Sequence, residues 1–169
     1  CDDLSFDGQD DQVAVDGLSS KAAESDQFAV SAWLLPADSL TNWGTVWSFH
    51  DAAGGDKMML RTRREAGGTF TLAYFDSATG NRNLFSGLPS ATWFHLVLSM
   101  GADNMISAQL GYQNSSAADV FSAATPFSTL RSAAFPVIGG RFALGQEWDG
   151  NIPSEFFQGD IDELRVLRT

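Results

Sequence analysis

The two ends of this 169-residue chain carry matching half-motifs, and such a chain is constrained to close on itself. Near the start runs Leu4-Ser5-Phe6-Asp7-Gly8-Gln9-Asp10-Asp11-Gln12-Val13-Ala14-Val15. Near the end runs Phe156-Phe157-Gln158-Gly159-Asp160-Ile161-Asp162-Glu163-Leu164-Arg165-Val166-Leu167. Each joins a short apolar strand to a glycine and clustered aspartates. A first strand paired with the last closes an all-β domain and draws those aspartates together, where a hard cation can sit.

Between the ends, strand follows strand. Phe28 to Leu35 alternates and stops at Pro36; Thr45 to Phe49 follows a Trp43-Gly44 turn. Lys57 to Arg63 and Thr69 to Phe75 flank Glu65-Ala66-Gly67-Gly68, a hairpin signal. Trp93 to Met100 ends at Gly101, and Met105 to Tyr112 is its partner across Ala102-Asp103-Asn104. Val137 to Leu144 and Ile161 to Leu167 complete the set, with one short helical turn near Phe127 to Ser132. Short strands with turn signals at this spacing predict a two-sheet antiparallel sandwich. No apolar run approaches the roughly 20 residues that span a membrane as a helix.

Charge narrows the partners. Lys and Arg number 10 against 21 Asp and Glu, a net charge of −11. Nucleic acid demands clustered cations, so it is excluded as a partner. The one basic cluster, Arg61-x-Arg63-Arg64, reads as local charge balance in a hairpin. Cys1 is the single cysteine, so no internal disulfide forms.

Three motifs together resemble a known fold. Phe6-Asp7-Gly8-x-Asp10-Asp11-x-Val13 followed by Phe28-x-Val30-x-Ala32-Trp33-Leu34 is similar to the opening of laminin G-like, concanavalin A-like jelly rolls. Trp93-Phe94-His95-Leu96-Val97 resembles their internal strand, and Phe157-Gln158-Gly159-x-Ile161-Asp162-Glu163-Leu164-Arg165-Val166 their closing one. The resemblance implies one jelly-roll domain over 4–169, with 1–3 as a tether. It also implies a structural Ca2+ joining the terminal strands, with Asp7, Asp10, Asp11 and Asp162 as ligands and a role in stability rather than catalysis. The alternative is that these aspartates cap turns.

Leu144-Gly145-Gln146-Glu147-Trp148-Asp149 resembles the calcium loop of pentraxins, with Trp148 where that pattern has Gln. It implies a second possible metal set of Asp56, Glu147, Asp149 and Glu155. A chain beginning at Cys is similar to a mature bacterial lipoprotein, which implies lipidation of Cys1 and an extracytoplasmic, membrane-anchored location.

Hydrolysis of a glycan requires two carboxylates about 5–9 Å apart on rigid strands. Related glucanases carry them as E-x-D-x-x-E. Glu147-Trp148-Asp149 starts that pattern, but Ile152 stands in place of the third acid, and Gly150 to Pro153 reads as loop. The expectation is therefore a non-enzymatic binding module. Trp33, Trp47 and Trp93 lie in strands and read as core. The loop residues Trp43 and Trp148, with Glu147 and Asp149, are the expected glycan contacts on the concave sheet or its rim. The alternatives are an accessory subunit docked on a larger membrane or surface complex, and a glycan hydrolase.

Overall fold

The computed structural model describes residues 3–15, 17–18, 27–39, 43–50, 55–77, 80–101, 105–113, 118–124, 140–149 and 152–168. Cys1 and the expected helical turn at Phe127 to Ser132 lie outside the described residues.

Among the described residues, fourteen strands run in chain order. They are β1 (Leu4–Asp7), β2 (Val13–Val15), β3 (Phe28–Pro36), β4 (Trp43–His50), β5 (Asp56–Arg64), β6 (Thr69–Asp76) and β7 (Gly80–Pro89). Then come β8 (Phe94–Met100), β9 (Met105–Tyr112), β10 (Ala118–Ala124), β11 (Arg141–Leu144), β12 (Glu147–Asp149), β13 (Ile152–Ser154) and β14 (Gln158–Arg168). One six-stranded sheet has the order β1-β14-β3-β8-β9-β10 and a second the order β2-β11-β4-β5-β6-β7. β12 and β13 form a separate hairpin, so Ile152 and Pro153, expected as loop, lie in a strand pair, while Gly150 and Asn151 lie outside the described residues. All pairings between strands are antiparallel, and the result is a jelly-roll sandwich.

The chain ends do close the fold. β1 pairs with β14, Leu4 opposite Ile161 and Asp7 opposite Gln158. β2 pairs with β11 in the other sheet, so the first 15 residues contribute a strand to both layers. Near the termini Phe6 packs edge to face on Phe157, ring centres 6.1 Å apart, and the Phe157 N–H donates to the carbonyl of Gly145, just after β11 of the second sheet, at 2.8 Å.

Alternation decides which face each strand buries. Phe28, Val30, Ala32 and Leu34 of β3 point inward, as do Phe94, Leu96, Leu98 and Met100 of β8. They meet Trp47, Phe49, Leu60, Phe70 and Leu72 from the second sheet. Ring contacts cross the interface: Phe28 to Phe49 at 5.9 Å and Phe70 to Phe94 at 5.6 Å. Tyr74 is wholly buried in this core. Burial, reinforced by nearby Asp76, pushes its phenol far above the ordinary value, so it stays neutral.

Candidate ligand-binding site

Three places carry the chemistry that the sequence singled out. The first is the loop after β1. Asp7, Asp10 and Asp11 each offer a carboxylate oxygen, and these lie within 4.8 Å of one another. The backbone shapes the loop: the Asp7 N–H donates to Asp11 Oδ2 at 2.8 Å, and the Gln9 N–H to Asp7 Oδ1 at 2.8 Å. Gly8 supplies the turn at φ +80°.

Asp162 does not join them. In an antiparallel pair the end of β1 meets the start of β14, so Asp7 faces Gln158. Asp162 lies four residues further on, about 13 Å away at the strand rise of about 3.3 Å. The expected four-aspartate set is thus three aspartates, and the fastening of first strand to last rests on ladder pairing and on Phe6.

The second place is the β12–β13 hairpin. Glu147 is buried, and Ser154 Oγ donates to its Oε1 at 2.5 Å while lying 3.2 Å from Asp149 Oδ2. Glu155, at φ +49°, turns away to form an ion pair with Arg61. Among the described residues, Asp7, Asp10 and Asp11 are the one group of three or more whose ligand atoms converge, so Glu147, Asp149 and Glu155 do not form the expected second metal set. The physical reason is pairing: Glu147 faces Ser154, Asp149 faces Ile152, and Glu155 is held by a guanidinium. Asp56 starts β5 opposite His50.

Trp43 and Trp148, expected in loops, instead lie in β4 and β12. The guanidinium carbon of Arg61 lies 4.3 Å from the Trp43 ring centre and that of Arg63 lies 5.4 Å away. Arg141 lies 4.9 Å from that of Trp148. The expected sugar-stacking indoles are thus engaged by the protein's own cations. The basic cluster does balance local charge: Arg61 pairs with Glu155, and Arg63 with Glu65 at 2.9 Å.

The third place was not expected. A cavity of about 350 Å³ opens on the outer face of the first sheet, lined by Asp3, Trp33, Trp93, Gln113, Asp162 and Glu163. Trp33 alternates with the inward residues of β3 and therefore points out of the sandwich, half-buried. Trp93 precedes β8 and is half-buried as well. Their strand positions predict a core role, and both instead wall the cavity. The Gln113 N–H donates to the Trp93 carbonyl at 3.4 Å, which brings the two side by side.

One cross-strand row runs from the cavity across the sheet: Asp162 opposite Trp33, Trp33 opposite His95, His95 opposite Gly111. The Trp33 and His95 rings lie 5.2 Å apart. A β-bulge in β14 between Asp162 and Arg165 puts Glu163 at φ +49°. In a regular strand, residues 162 and 163 would point to opposite faces; the bulge lets both carboxylates line one cavity. The signal for this site was strand parity: Ala29 and Ser31 share the face of Trp33, and His95, Val97 and Ser99 share that of Trp93, a half-polar face rather than a core one.

Fold and site define a β-sandwich protein with a ligand-sized, aromatic-walled recess on one sheet. A family model described as the concanavalin A-like lectin/glucanases superfamily (Laminin_G_3) matches residues 7–169, and the chain belongs to that family. No curated protein matches the sequence at a significant level. Solved structures with a similar fold include the native heptameric SAP-like pentraxin of Limulus polyphemus, 16% identical with a TM-score of 0.64, covering 97% of this chain and 74% of that one. The CBM40 of a Ruminococcus gnavus IT-sialidase, bound to α2,3 sialyllactose, is 13% identical with a TM-score of 0.64, covering 100% of this chain and 90% of that one. Alginate lyase PA1167 from Pseudomonas aeruginosa is 17% identical with a TM-score of 0.52, covering 87% of this chain and 66% of that one.

Proposed function

We propose that this protein is a non-enzymatic glycan-binding module whose sugar site is the recess between Trp33 and Trp93. The observation that carries this reading is the recess itself. Its volume, about 350 Å³, is within the range of small-ligand sites, and it combines two indoles with an amide and carboxylates. Indoles cover the apolar faces of sugar rings, while carboxylates accept from hydroxyls and amides both accept and donate. A structurally similar module was solved with sialyllactose bound, which supports the class of ligand.

The non-enzymatic part rests on the carboxylates. Glu147 accepts a hydrogen bond from Ser154, Glu155 is ion-paired with Arg61, and Ile152 stands 70% exposed where the third acid of a glucanase pattern belongs. Calcium belongs to the proposal as a stiffener. Asp7, Asp10 and Asp11 suit a hard cation, which takes its remaining oxygens from backbone carbonyls and water.

A printed oligosaccharide array is the test. The protein is expected to retain at least one oligosaccharide, and Trp93→Ala to lose it while melting normally. Retention unchanged in Trp93→Ala moves the site elsewhere, and cleavage of a retained oligosaccharide by the wild type, abolished in Glu147→Gln, would make the protein a hydrolase.

A further inference from the structure

We infer that the Trp33–Trp93 recess selects sugars bearing a protonated amine and rejects sugars bearing a carboxylate. This rests on the recess being the sugar site, and it sets the sign of the charge that the site accepts.

Among the described residues the lining is Asp3, Trp33, Trp93, Gln113, Asp162 and Glu163, three acids with no Lys or Arg among them. Among the described residues one cation is ion-paired with this lining: Arg165 donates to Glu163 Oε2 at 3.1 Å, in a pair whose partners are both well exposed. Three carboxylates against one guanidinium leave the rim at −2, on a chain whose net charge is −11. Asp162 Oδ1 accepts the Glu163 N–H at 2.7 Å, which fixes that carboxylate at the mouth.

The indoles act with the same sign. Their faces are electron-rich and attract an ammonium group, and carboxylates beside them add to that attraction. A uronate or sialic acid carboxylate would meet like charge, with no counterion among the described lining residues. An acetylated amine would keep the ring stacking and lose the charge. The bulge is what makes the difference. Without the extra residue between Asp162 and Arg165, Glu163 would face the opposite side of the sheet and the rim would lose one acid.

The test is titration calorimetry on the full chain with three probes: a glucosamine tetramer, an N-acetylglucosamine tetramer and a mannuronate tetramer. The glucosamine tetramer is expected to bind about tenfold more tightly than its acetylated form, with the preference shrinking as salt is raised. The mannuronate tetramer should give no heat. Asp162→Asn keeps the acceptor for the Glu163 N–H, and it should weaken the glucosamine tetramer several-fold while leaving the acetylated form unchanged. Glu163→Gln should act in the same direction. Trp93→Ala should weaken both hexosamine probes.

Equal affinity for the amine and the acetamide, or tighter binding of the uronate, overturns the charge inference and leaves the glycan reading standing. Binding of any probe that Trp93→Ala does not touch overturns the assignment of the sugar site itself.

Discussion

Gly159→Ala is the sharpest test of how the chain ends are joined. Gly159 lies where three strands meet, opposite Phe6 of β1 and Pro36 of β3. Its φ is +139°, and a Cβ there would lie 2.2 Å from the Leu35 carbonyl oxygen and 2.9 Å from Pro36 Cα. Both obstacles are backbone of β3, which is held on its other side by β8, so β14 must retreat. The strained backbone contributes ~1–3 kcal/mol. Each ladder bond opened, beginning with Ala37 N–H to the Gln158 carbonyl at 3.1 Å, adds about 1 kcal/mol. The total is ~3–5 kcal/mol, which in a domain of this size lowers Tm by about 6–20 °C.

The control is Gly67→Ala, at φ +91° with nothing within 4 Å of the added methyl. It meets backbone strain alone, about 1–2 kcal/mol. Urea unfolding followed by tryptophan fluorescence separates the two, because a change in native stability moves the midpoint and leaves the slope unchanged. Equal midpoints for the two variants would refute the β14–β3 register, and with it the placement of Asp162 beside Trp33.

Further expectations concern charge, burial and metal. Glu65 accepts from Thr71 Oγ1 at 2.6 Å and from Arg63 at 2.9 Å, and these bonds, the hydroxyl first, hold its carboxyl below the usual 4.5. A lowered folded-state pKa gives stability that is present above the unfolded value and is lost as pH falls through the folded one. Glu65→Gln should therefore flatten the stability profile below about pH 4.5 and leave its shape unchanged near neutrality; an unchanged acid limb contradicts this. The Tyr74 hydroxyl is buried without a hydrogen-bond partner among the described residues, so Tyr74→Phe should be neutral or stabilising by about 1 kcal/mol, checked by the same urea titration. Calcium at a hundredfold excess over its Kd should raise stability by about 2.7 kcal/mol, and Asp7→Asn with Asp11→Asn should abolish the effect. A melting temperature indifferent to chelator would remove the metal from the account.

The fold was largely legible because its signals are local and repeated. Alternation from Phe28 to Leu35 and from Phe94 to Met100 marks strands whose inner faces need a second sheet, and the paired terminal motifs specify the closure. β7 and β10 were not legible. Asn81, Arg82 and Asn83 in β7 lack an apolar stripe, since the strand takes its place from the ladder with β6. The site was harder still. Both faces of β3 are mostly buried, so hydrophobicity alone places Trp33 in the core, and only its parity with Ser31 argues otherwise. The terminal motifs point Asp162 toward Asp7 because a motif shows proximity in the chain, while antiparallel register, Asp7 opposite Gln158, decides proximity in space. The bulge that brings in Glu163 has no distinctive residue to announce it.

The central claim is that sugar binds between Trp33 and Trp93. The chain has five tryptophans, each giving a separate indole N–H resonance once the amino acid is labelled with nitrogen-15. Titration with the glucosamine tetramer should shift the Trp33 and Trp93 indole signals together and leave Trp47, buried in the core, and Trp43 and Trp148, covered by arginines, in place. Movement of Trp43 and Trp148 with Trp33 and Trp93 unmoved would put the site on the β12–β13 rim and contradict the account.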